Sequence, residues 1–204
     1  MEWLIVIAFL VVCLAVVIVI ISYCEKKKKD KFSKLYSLIQ QKFPQFAISQ
    51  KIEDQTEIKV IALDGDAKKI CIAYQIGGDF VAKVYRAEEI IACEIIENNS
   101  SITRTEKSGS AIGRAALGAV FAGGVGAAIG AFSGGTKTVS ENLVSKLAIR
   151  VIVDSLEAPS HELNLLPVEC ARDNNLYKIL MGQAQHWHGI FSVLINQEEK
   201  NGIL

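Results

Sequence analysis

The sequence predicts an α+β chain on a membrane anchor: one apolar helix, an antiparallel sheet of about seven strands, and a closing C-terminal helix. Three observations carry this. Trp3 to Ile21 is a run of nineteen residues with no charge, Gly or Pro. From Phe46 to Asn98, and again from Leu143, apolar residues alternate with period two, as strands require. From Leu176 to Ile195 they recur at i, i+3, i+4 and i+7, one face of a helix.

At about 1.5 Å per residue, the first run reaches roughly 28 Å, close to the ~30 Å hydrocarbon layer of a bilayer. Only a helix satisfies its own backbone there, so the medium overrides the β-branched composition. Trp3 and Tyr23 stand at the ends, where amphipathic rings favour the interface. Two processing readings compete with the anchor. A secretory signal needs a positive start and a small-residue cleavage site, but Met1-Glu2 and Ile21-Ser22-Tyr23 supply neither. A lipoprotein signal would use Cys24, which follows the large Tyr23. No Lys or Arg precedes the span, and Lys26, Lys27, Lys28, Lys29, Lys31 and Lys34 follow it. The positive-inside rule then puts the N-terminus outside and the main domain in the cytoplasm, as a single-pass inner-membrane protein. Lys26, Lys27, Lys28, Lys29 and Lys31 are candidate contacts to anionic headgroups. The plainer alternative is a stop-transfer cluster.

The 204 residues, less about 24 for the anchor, leave room for one domain with a sizeable core. Net charge is zero; residues 25–34 hold six Lys against Glu25 and Asp30, a balance of +4, so −4 lies elsewhere. That excludes the basic face of a nucleic-acid binder. Five scattered cysteines without C-x-x-C spacing fit the cytoplasm and argue against a disulfide framework or a zinc site. Cys24 is either an inert thiol or a juxtamembrane acylation site.

In residues 25–44, the basic turn is followed by Phe32, Leu35, Tyr36, Leu38, Ile39 and Phe43 at helical spacing, with Pro44 as the stop. The spacing predicts a short amphipathic helix, packed on the domain or lying along the membrane. Strands are predicted at Phe46–Ile52, Glu57–Leu63, Lys68–Gln75, Phe80–Arg86 and Ile90–Glu97, with turns at Asp64-Gly65-Asp66 and Gly77-Gly78-Asp79. In the third strand, Ile70, Ile72, Tyr74 and Ile76 form the core-facing set, opposite Lys69, Cys71, Ala73 and Gln75. Asn98 to Ser101 reads as a loop. After a Gly-rich insert at 108–135, strand character resumes at Leu143 and ends at Pro159, and His161–Leu166 adds a last strand. A helix over about 170–198, carrying Trp187 and Phe191, would plug the open corner of the rolled sheet; 199–204 is a tail.

Residues Arg86 to Glu97, Lys146 to Asp154 and the Ala184-to-Gln197 helix, in this order of elements, resemble the pleckstrin-homology-like (PH-like) fold of bacterial membrane-associated proteins. The resemblance covers about residues 45–198 and implies an antiparallel β-barrel closed by its C-terminal helix. It also implies binding of a lipid headgroup, a peptide or a partner subunit, without choosing among them. The insert departs from the plain fold and is similar to segments that some bacterial and phage membrane proteins carry at this point.

Within the insert, Gly126, Gly130 and Gly134 are four apart, and Gly118 and Ala122 extend the row backwards. Such a stripe lets another helix backbone approach closely, so these five are candidate membrane or oligomer contacts. Ala115 to Phe132 has eighteen residues without a charge. One continuous span would split the sheet across the bilayer. A helical hairpin turning near Gly123-Gly124, flanked by Arg104, Lys107 and Arg114 before and Lys137, Lys146 and Arg150 after, keeps it whole. A Gly-rich loop without special role is the other reading.

No catalytic constellation appears, so the expectation is a non-enzyme without cofactor or metal. Gly123-Gly124-Val125-Gly126 lacks the Lys-Ser/Thr of a phosphate loop. His186 and His188 point to different helix faces, and His161 is alone. Glu88, Glu89, Glu94 and Glu97 read as solvated strand-edge carboxylates. Two functions remain: a membrane-tethered binding or scaffold module with a protein or lipid partner, or a membrane-active homo-oligomer built from the Gly-rich hairpins.

Overall fold

Between Ser22 and Phe43 the chain holds no Gly or Pro, so nothing in it stops a helix until Pro44. The computed structural model describes residues 2–107 and 143–201, and it contains one unbroken helix, α1, Glu2–Lys42. Lysines are good helix formers, so the apolar run and the amphipathic stretch are one rod roughly 60 Å long. The N-terminal half keeps its apolar side chains exposed, from Phe9 to Ile21. The C-terminal half buries Phe32, Leu35 and Ile39 against Val60, Ala62, Cys71, Ala73 and Ala82.

That packing uses the outer face of a first antiparallel sheet, β1 (Gln50–Glu53), β2 (Lys59–Asp64), β3 (Lys69–Ile76) and β4 (Asp79–Arg86), in this order. Strand β3 is therefore buried on both faces: Ile70 and Ile72 towards the core, Cys71 and Ala73 under α1. Ile76, predicted to face the core, is 62% exposed because it sits at the hairpin end. A 3₁₀ turn, Ala87–Glu89, leads into a second sheet ordered β6-β5-β8-β9, made of β5 (Ile90–Glu97), β6 (Ser100–Glu106), β8 (Leu147–Val153) and β9 (Ser160–Asn164). Strands β7 (Leu143–Val144) and β10 (Cys170–Ala171) pair as a small ribbon.

Strand β6 stands where a loop was expected. Asn98 and Asn99 have φ of 46° and 67°, the two left-handed residues that a tight hairpin turn demands. The sheets do not close into the expected barrel. Strands β1 and β9 are four and five residues long, and among the described residues their ends meet at one corner. There the Gln55 amide donates to the Asn164 carbonyl at 2.8 Å.

The core lies between the sheets, around Ile61, Ile72, Cys93, Ile95, Ile149, Val151 and Leu163. Helix α2, Asn175–Asn201, closes it with Leu180, Ala184, Trp187, Phe191 and Ile195. It starts later than predicted because Cys170–Ala171 is taken by β10. Ile179, counted in its apolar stripe, is 63% exposed.

Candidate functional site

The domain is fastened to α1 just past the apolar run. Lys28 Nζ donates to the Gln55 carbonyl at 2.8 Å and lies 5.9 Å from the Phe32 ring centroid. Two turns on, the Tyr36 hydroxyl donates to Glu53, and Lys51 stacks over the Tyr36 ring at 3.9 Å. Burial, then the Glu53 carboxylate, pushes the Tyr36 phenol well above its ordinary pKa. Lys28 is seven residues beyond Ile21, about 10 Å along the helix axis. Of the candidate headgroup lysines, Lys26, Lys27 and Lys29 are exposed, whereas Lys28 and Lys31 are half-buried. The row Gly118, Ala122, Gly126, Gly130 and Gly134 lies outside the described residues.

The loop that receives Lys28 is also one wall of a cavity of about 640 Å³. Its lining runs over Thr56 to Lys59, Tyr74 to Gly78, Ala158 and Ser160 to Glu162. Asp54, 2% exposed, pins this wall: Oδ1 accepts from the Thr56 and Glu57 amides at 2.7 Å, and Oδ2 from the Asn164 amide at 2.6 Å. Inside, buried His161 lies between Tyr74 and Tyr85, with centroids 6.0 and 5.8 Å away, and its Nε2 is 3.2 Å from the Tyr85 hydroxyl. Burial, then the Lys59 and Lys83 cations, pulls the His161 pKa down to about 4. The ring is neutral at physiological pH.

The charges around the cavity are engaged with one another. Lys59 Nζ meets Glu57 at 2.8 Å and donates to the Glu162 carbonyl at 2.9 Å. Lys83 pairs with Glu157. The Glu162 carboxylate turns to Arg150, at 2.8 Å, and to Lys146. Burial raises its pKa, but those two cations outweigh burial and leave it lowered. The lysine of the lining is thus engaged by a carboxylate and a carbonyl.

A second cluster crosses the other sheet. Arg104, Glu94, Arg150 and Glu162 stand in register on β6, β5, β8 and β9. Glu94, expected to be solvated, is fully buried, 3.5 Å from Arg104 and 3.7 Å from Arg150, with no hydrogen bond to either oxygen. Burial pushes its carboxyl upward against the pull of the two guanidiniums. Glu97 is also buried and holds Arg172 Nε at 2.9 Å and the Tyr177 hydroxyl, tying β5 to α2. Among the described residues, no group of three His, Cys, Asp or Glu could hold a metal ion. The cavity escaped the sequence reading, which weighed His161 only as a metal ligand; Tyr74 and Tyr85 reach it only through sheet pairing.

The comparisons with known proteins agree with this architecture. The "Immunity protein" of Bacillus phage SPbeta is 28% identical over 138 residues, 62% of this chain and 65% of that protein. An SPbeta prophage-derived membrane protein of Bacillus subtilis strain 168, YomJ, is also 28% identical over 138 residues, 62% of this chain and 58% of its own length. The chain thus spans about 60% of the length of these relatives. No solved structure matches it. Among the described residues, one helix is long and apolar enough to cross a membrane, which together with the membrane relative suggests a membrane location. The family described as "Glycine zipper containing PH domain" matches residues 45–167. With well over half of the chain matched, across both sheets and up to the closing helix, the protein belongs to the family of glycine-zipper-containing PH domains.

Proposed function

We propose that the protein is a non-enzymatic binding module, tethered by α1 and working on the cytoplasmic face of a bacterial membrane. The observation that carries this is the unbroken helix: Glu2–Lys42 joins the apolar run directly to the first sheet, fixed by Lys28 on Gln55 and Tyr36 on Glu53. A lipid headgroup, a peptide or a partner subunit is the ligand class, and the cavity beside Gln55 is the place for it. The relative named an immunity protein supports a protective use: the module would guard the cell that carries it.

The test is topological. In a variant lacking native cysteines, Leu156→Cys gives a fully exposed thiol on the domain. An impermeant maleimide should leave it unlabelled on intact cells and label it after permeabilisation. Labelling on intact cells would reverse the orientation, and recovery of the whole chain from the soluble fraction would remove the tether.

The family's glycine zipper favours a second reading, in which Gly118, Ala122, Gly126, Gly130 and Gly134 bring copies together in the membrane. Gly126→Leu and Gly130→Leu should abolish cross-linked oligomers, while Val125→Leu should not. Gly→Leu raises helix propensity by roughly 0.8 kcal/mol, so a weaker helix could not explain the loss. Equal cross-linking in all three would reject the zipper.

A further inference from the structure

Among the described residues, strand β9 has β8 on one side only, and the direction of its backbone groups follows from its bonds. Pro159 accepts from the Val153 amide, and Leu165 donates to Leu147, so odd-numbered residues turn to β8. Even-numbered residues turn outward. Asn164 is met by the chain itself: Gln55 donates to its carbonyl, and Asp54 accepts from its amide. The Glu162 carbonyl takes Lys59. The next groups along this edge, the Glu162 amide and both backbone groups of Ser160, have no partner among the described residues. They line one side of an open groove of about 640 Å³, whose other side is formed by Thr56 to Lys59 and Tyr74 to Gly78.

Unpaired main-chain groups two residues apart on a strand edge match one chemistry, another extended main chain. We propose that this edge takes an extended segment of a partner polypeptide as an added strand, continuing the pairing that residues 54 and 55 begin at Asn164. The charges lining the cavity argue against an anionic headgroup as the occupant: Lys59 is engaged by Glu57 and by the Glu162 carbonyl. Side chains of the added strand would alternate between the Tyr74–His161 interior and the Glu162–Arg150 surface. This rests on the tethered-module reading and names its partner class.

The test uses the full chain in detergent micelles and a phage-displayed library of random eight-residue peptides. Glu162→Pro removes the outward amide, which an edge strand tolerates; Glu162→Thr removes the same carboxylate but keeps the amide. Enriched peptides, made synthetically, should bind Glu162→Pro at least tenfold more weakly than Glu162→Thr, so that the two variants differ in the backbone amide and not in the lost carboxylate. Peptides N-methylated one residue at a time should lose binding to wild type at alternate positions only. That series decides the matter if Glu162→Pro does not fold, as judged by Trp187 fluorescence. Overturning results are no enrichment, equal binding to the proline and threonine variants, or N-methyl effects without alternation. Slowed exchange of the Ser160 and Glu162 amides on adding phosphatidylglycerol, with no peptide enriched, would overturn it in favour of a lipid occupant. In each such case, retention in the membrane and protection of the Leu156→Cys thiol would leave the tether standing.

Discussion

His161 is buried between two tyrosines, and that burial, then the Lys59 and Lys83 cations, favours its neutral form in the folded state. Its pKa falls from 6.5 to about 4, so the folded chain binds the proton more weakly than the unfolded chain does. Stability linked to this group is complete above about pH 6.5 and is lost as pH falls towards 4. The full effect is about 3 kcal/mol. Urea midpoints in micelles at pH 7 and pH 4.5 should separate for the wild type, and His161→Gln should remove most of that difference. An unchanged separation would assign the pH dependence to carboxylates instead. At this scale the sequence misleads where burial depends on pairing. Glu94 follows the alternation of an outward residue, and only the register that sets Arg104 and Arg150 on either side explains a carboxylate without solvent.

Helix α2 closes the gap between the sheets, and Trp187 is its largest core side chain, 4% exposed and 6.2 Å from the Phe191 ring. Trp187→Ala should cost about 3–5 kcal/mol, a large share of a domain's stability. Thermal unfolding followed by circular dichroism measures it; an unchanged midpoint would mean the ring does not support the fold. This helix was readable because i, i+3, i+4, i+7 spacing is a local property. Strand β6 was not: Ser-Ser-Ile-Thr-Arg-Thr-Glu is a mostly exposed edge without an apolar face, and its only signal is Asn98-Asn99. The apolar length of α1 was plain, but its continuity was not. The lysines look like a boundary to hydropathy, although the backbone has no reason to change there. Likewise Cys71 and Ala73 look outward until the helix that covers them is in place.

At the scale of the whole molecule, α1 makes the apolar run and the first sheet one body. Pro at Glu25 would interrupt α1 between Ile21 and Lys28, at roughly 3 kcal/mol of local helix stability, without touching the sheets. Spin labels at Ser22→Cys and Leu156→Cys should give a narrow distance distribution that broadens in Glu25→Pro, with the domain's melting temperature unchanged. Equally broad distributions in both would show that the helix flexes already. The α+β class and the closing helix could be read from periodicity, and the N-terminal apolar helix from its uninterrupted run. Closure of the sheets could not, because it depends on whether two short edges meet along their length or at one corner.

A rod without a joint also changes how a partner is found. The loop that forms the cavity wall is held by Lys28, about 10 Å along the helix from the end of the apolar run, so its height and tilt are set before any encounter. A partner held in the same bilayer searches two dimensions instead of three, at an effective concentration that reaches roughly millimolar for close tethers. Weak pairing at a strand edge is then sufficient for occupancy, and the same contact made by the domain free in solution would go largely unfilled.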